Sequence, residues 1–194
     1  AELGREIGSD DDGIIMEETG HGRNQFRDIF MVDPRGVGMY VRNTFDVPYL
    51  SNIEVWCNGG MRPGPAFRFG RNDEIRCNSL FAFQTKIGFL FGQEETDELA
   101  GGVSASRGAY GTFVDCATDA CEFGIVVRDD CSLNFVGGDL WNHWGGLIVE
   151  HPDAHIRCTG LSFSTNGDSS IVVKEGGELI LSGCRIGRAF SNGE

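Results

Sequence analysis

Three stretches of this chain superpose without a gap: LNFVGGDL from Leu133, IRCTGLSF from Ile156 and LILSGCRI from Leu179, each starting 23 residues after the one before. Each carries an apolar residue or Cys at its first and third positions, Gly at its fifth and an apolar residue at its eighth. Alternation of that kind belongs to a strand with one face on a core, and the fixed Gly marks a bend that leaves no room for a side chain. A second apolar strand precedes each stretch, as GIVVR (124–128), GLIVE (146–150) and SIVVK (170–174). Two or three short strands per repeat cannot bury a core alone, but they can stack on their neighbours. The period therefore predicts an all-β solenoid, a right-handed single-stranded parallel β-helix.

The repeat extends back toward the N-terminus in a noisier form. IRCNSLF (75–81) nearly restates IRCTGLSF, and NIEVWC (52–57) and QFRDIFMV (25–32) occupy comparable places. First strands for these coils read GIIME (13–17), GMYVR (38–42), AFRFG (66–70) and GFLFG (88–92), which makes about seven coils in one domain over residues 1–194. Residues 93–107, QEETDELAGGVSASR, break the period and read as an acidic inserted loop, with YGTFVDCA (110–117) resuming the stack. Neighbouring coils lie about 4.8 Å apart, so like positions form columns. Leu133, Ile156 and Leu179 make one interior column; Phe135, Cys158 and Leu181 a second; Leu140, Phe163 and Ile186 a third. A leucine-rich repeat lacks support because its LxxLxLxxN pattern is absent, and the strands of a β-sandwich would not recur in register.

Composition agrees with many turns and few helices: 29 glycines and only five prolines, with helix start and stop signals poor throughout. No apolar run approaches the roughly 20 residues of a membrane span, and the chain enters mid-coil, as a fragment of a longer protein would. A formal charge of −13 disfavours a nucleic-acid partner, which needs clustered Lys and Arg. Among the 16 basic residues only Lys86 and Lys174 are lysine, a skew expected of a high-salt habitat and equally of a GC-rich genome. Seven cysteines, an odd number lying mostly inside apolar strand patterns, read as free buried thiols, with Cys116 and Cys121 the best-placed pair for a local disulfide or metal. Zinc spacing is absent.

These coils resemble the pectin-lyase-like superfamily of parallel β-helices, which includes polysaccharide lyases, glycoside hydrolases and viral tailspikes. The resemblance covers roughly residues 13–188, and GMYVRNTFDVPYLSNIEVW (38–56) is similar to the coil-and-turn wording of tailspikes. GHG at 20–22 matches one polygalacturonase motif, but its companion motifs are missing, so it reads as coincidence. The resemblance implies a polysaccharide partner, an extracellular or virion-surface setting and a homotrimer as the assembly usual among tailspikes.

The richest polar segment is GGDLWNHWGG (137–146). Trp141 and Trp144 offer ring faces to a sugar, while Asn142 and His143 offer hydrogen bonds. The tryptophans would equally serve to cap the core or meet a neighbouring subunit. Glycosidic cleavage needs two carboxyls flanking the bond, and Asp139, Glu150 and Asp153 are the candidates. Glu150 falls between Arg128 and Lys174 in the alignment, a charge ladder that already accounts for it structurally. Asp139 has no such partner. Asp129, Asp130 and Asp153 could offer oxygen ligands to Ca²⁺, but their spacing is not specific and no cofactor is expected. The rival reading is a non-catalytic structural or adhesive segment of a virion or cell-surface assembly.

Overall fold

A computed structural model describes residues 13–17, 24–44, 46–60, 62–92, 108–165, 169–174 and 176–188. The loop expected at 93–107 and the GHG tripeptide lie outside them. The described residues form 16 strands and no helix, and every strand pairing is parallel.

The pairings sort into three faces. The first runs from Ile14–Glu17 through Met39–Arg42, 67–69, 87–91, 123–127 and 145–149 to Ile171–Val173. The second stacks 25–27, 49–51, 75–78, 111–114, Ser132–Val136, His155–Thr159 and Glu178–Ser182. The third stacks 29–32, 53–56, 80–83, 117–119, 139–142, Ser162–Thr165 and Arg185–Arg188. Seven strand levels on each face are joined by six pairings, so the chain winds about six full turns of a parallel β-helix. NIEVWC spans the corner and the third face, and the second-face strand of that coil is the preceding 49–51.

All three columns form in register as the repeat predicts, and they are buried except in the last coil, where Leu181 is 38% and Ile186 56% exposed because no further coil covers them among the described residues. Leu133 pairs with Ile156 and Ile156 with Leu179; Phe135, Cys158 and Leu181 follow in step; Leu140 meets Phe163, which meets Ile186. Aromatic rings fill the middle coils. Phe67 stacks on Phe89 at 5.2 Å and Phe69 on Phe91 at 5.1 Å, while Phe113 stacks on Phe135 at 5.0 Å and meets Phe91 edge-on at 5.1 Å. Such ring pairs contribute about 0.5–1.5 kcal/mol each beyond burial. The first face is apolar on its outer side too, where Ile87, Leu90 and Val126 form a buried cluster with Phe123 and Ile148.

The corner between the second and third faces explains the repeated glycine. Gly137, Gly160 and Gly183 all have left-handed backbone, with φ of 69°, 66° and 61°. The same corner in the four earlier coils is turned by Asp28, Asn52, Ser79 and Asp115, with φ between 49° and 56°. Asn and Asp tolerate this conformation better than other side-chain-bearing residues. The Asn52 side-chain amide also donates to Asp28 Oδ1 at 2.7 Å, tying two of these corners together.

All seven cysteines are free; six are buried and Cys184 is half-buried. Burial pushes the Cys116, Cys131 and Cys158 thiols up to about 12, so they behave as small apolar side chains rather than nucleophiles. No helix among the described residues is long and apolar enough to cross a membrane.

Candidate functional site

Alternation along the third face turns every second side chain outward. Register aligns Trp56, Phe83, Asp119, Trp141 and Ser164 in one outer column, with Phe81 and Asp139 in the neighbouring one. At the N-terminal end the rings associate with one another: Trp56 stacks on Phe83 at 4.3 Å and lies 5.8 Å from Phe81. Toward the middle, Trp141 is 42% exposed and stands directly over Asp119 of the preceding coil. An apolar ring platform thus runs into a pair of carboxylates.

Asp119 was not singled out from the sequence. The signal that could have found it is its place under Trp141, but the two lie 22 residues apart, one short of the 23-residue period of the later coils. Asp119 and Asp139 are diagonal neighbours on adjacent strands, about 8 Å apart in the backbone from strand spacing and rise. Burial raises the Asp119 carboxyl above its ordinary range; the Ala120 backbone N–H and His143 oppose that shift, and Asp139 adds to it. Two carboxyls whose environments differ, beside an exposed Trp, have the composition of an acid–base pair for a glycosidic bond.

Alternation along the strand decides how Asn142 is presented, with Leu140 and Asn142 facing in and Trp141 out. Trp144 is 61% exposed at the next corner and His143 is exposed, whereas Asn142 turns inward and is buried. Its amide and the Thr118 hydroxyl have no hydrogen-bond partner among the described residues. A Cβ at Gly124 would lie 2.6 Å from Asn142 Nδ2 and 3.3 Å from Thr118 Oγ1, so these side chains help to exclude a larger residue there. Asn142, expected as a sugar ligand, is therefore part of the interior.

The other candidates lie apart from Asp139. Glu150 leaves the end of the first face and accepts from Lys174 Nζ at 2.7 Å and from Arg128 Nε at 3.0 Å, the expected ladder. Asp153 sits in the following turn, where its backbone N–H donates to His151 Nδ1 at 3.2 Å. Among the described residues no group of three His, Cys, Asp or Glu side chains is placed to hold a metal ion.

The ladder gives a pH-dependent prediction. The Lys174 hydrogen bond, helped by Arg128 and opposed by burial, holds the Glu150 carboxyl below its ordinary value of 4.5. A lowered folded-state value stabilises the fold above the unfolded value, and that stabilisation disappears as pH falls through the folded one. Glu150→Gln is expected to lower stability at neutral pH by up to about 1 kcal/mol. In urea titrations across pH, the gap to the parent should close below pH 4.5; a gap that persists in acid would assign the loss to packing.

No protein-family model matches this chain, and no curated protein or solved structure shows significant similarity to it.

Proposed function

We propose that the protein is a polysaccharide-binding β-helix of the kind found among the carbohydrate-active pectin-lyase-like proteins, acting outside the cell or on a virion. The observation that carries this reading is Trp141, exposed on the third face beside Asp119 and Asp139 and in line with the Trp56–Phe83 stack. Ring faces receive the apolar faces of sugars, and carboxylates accept their hydroxyls. The axial repeat of about 4.8 Å lets one extended chain meet successive coils in the same way. Asp119 and Asp139 are the carboxyls available for cleavage.

The test is retention on immobilised glycans. Trp141→Ala should weaken binding by up to about tenfold, the scale of one ring contact, and Trp56→Ala should weaken it further for longer chains. Asp139→Asn should abolish any cleavage while leaving retention in place. Parent-like retention by both Trp variants would remove the third face from the reading.

A structural or adhesive role has its own support at the N-terminal end of this face, where Phe30 is 61% and Val32 is 49% exposed, with Glu54 beside Phe30 and Trp56 beside Val32 in register. Such a patch suits contact between subunits, including a homotrimer. Sedimentation of Phe30→Asp against the parent separates the two, because a monomeric parent leaves that patch without a subunit to meet.

A further inference from the structure

The two ends of the solenoid are matched surfaces. Among the described residues, Ile171–Val173, Glu178–Ser182 and Arg185–Arg188 pair only with the coil before them, and Ile14–Glu17 and Gln25–Val32 pair only with the coil after them. Each end therefore offers parallel-strand backbone N–H and C=O groups on all three faces. Open edges of this kind are templates for pairing with another chain. The inner side chains of both end coils are apolar: Val173, Leu181 and Ile186 are exposed at the C-terminal end, and Phe26 and Met31 are half-buried at the N-terminal end. A capped solenoid ends on a polar outer layer. Neither of these coils presents one among the described residues.

The register columns define how two such ends meet. Every pairing is parallel, so a second copy displaced along the axis sets its first coil on the last coil of its neighbour with the strands running the same way. Met16 and Val173 occupy one column of the first face, Phe26 and Leu181 one of the second, and Met31 and Ile186 one of the third. Seated in that register, each exposed inner side chain of the last coil meets an apolar one. Charge follows the same rule. Arg128, Glu150 and Lys174 alternate in sign down the corner that ends the first face, and the ladder stops on the exposed Lys174. At the other end of the molecule that corner is position 17, a Glu, in register with Arg42. Plus, minus, plus in one copy thus runs on into minus, plus in the next.

From this complementarity we infer that the chain stacks head to tail on further copies of itself, the last coil of one pairing with the first coil of the next. The contact joins two different surfaces, so it builds an open rod rather than a closed dimer. Seven strand levels at the ordinary spacing give about 34 Å per copy along the rod. Apolar burial supplies the strength of the junction. The backbone pairing and the ladder fix its register, since a slip of one residue would turn inner side chains outward and move Lys174 off position 17. Stacking needs no ligand on the third face and leaves Trp141 facing outward.

The experiment is sedimentation velocity on the full chain over a concentration series, with negative-stain electron microscopy of the associated fraction. Mass should rise with concentration, and rods of one width should appear with lengths in multiples of about 34 Å. Ile186→Asp places a carboxylate in the junction and should weaken association at least about a hundredfold. Lys174→Glu sets like charges across it and should weaken association at least about tenfold. Both residues are exposed in the single copy, so circular dichroism of the variants should match the parent. Ile186→Asp keeps an intact N-terminal end, and adding it to the parent should cap and shorten the rods. Phe30→Asp, on the outer side of the third face, should leave the rods in place. A parent that stays monomeric up to about 100 μM overturns the inference. So does parent-like association of Ile186→Asp, and so does association lost with Phe30→Asp but kept with Ile186→Asp, which would assign the contact to the flank of the solenoid.

Discussion

Phe91→Ala is expected to lower the unfolding free energy by about 3–5 kcal/mol, the range for emptying a well-packed aromatic site. Phe91 is fully buried and lies where two inner faces meet: it stacks on Phe69 at 5.1 Å and meets Phe113 and Phe135 edge-on at 5.1 and 5.9 Å. Its neighbours cannot easily close over the gap, since each is held in its own coil by backbone pairing above and below. Phe91→Leu, which keeps most of the volume, should cost much less. Urea denaturation of the three proteins checks this, and a loss under about 1 kcal/mol for the alanine variant would show that the ring stack collapses into the space.

The second large effect is expected at Gly138, where two constraints coincide. Its φ is +92°, and an added Cβ would lie 2.0 Å from the Cys116 carbonyl oxygen, a backbone atom of the preceding coil that is itself fixed by the stack. Gly160 makes the control: its φ is +66°, but nothing lies within 4 Å of its added Cβ. Gly160→Ala should cost about 1–2 kcal/mol from backbone strain alone. Gly138→Ala should cost clearly more, or leave no folded protein to recover. Thermal melts run side by side decide it, and equal losses would mean that coil spacing yields to the methyl group.

The contrast between these glycines also shows where sequence reading succeeded. Gly137, Gly160 and Gly183 are visible as a repeat because one residue type recurs at one spacing. Asp28, Asn52, Ser79 and Asp115 turn the same corner but differ in type, and they are separated by 24, 27 and 36 residues, so no single period links them. The conformational requirement is common to all seven coils. Only in the last three does a single residue type meet it.

The candidate site divides along a similar line. Glu150 was legible because its partners stand at one position in flanking coils, and a column of opposite charges needs no knowledge of the rest of the fold. Asp119 was not legible, nor was the Trp56–Phe83 platform, because both depend on a third face whose strands run into their neighbours at sharp corners. Asn142 looked like surface because it lies among exposed tryptophans, yet alternation from buried Leu140 through exposed Trp141 turns it inward.

By itself, the sequence determined the solenoid, its interior columns and its charge ladder, since each follows from the alternation of strands and a period local to the chain. Tertiary structure alone decided which outward side chains share a face. Residues such as Asp119 and Trp141 become neighbours only through the winding of the coils, and a bulge or a change in coil length alters that register without leaving a periodic trace.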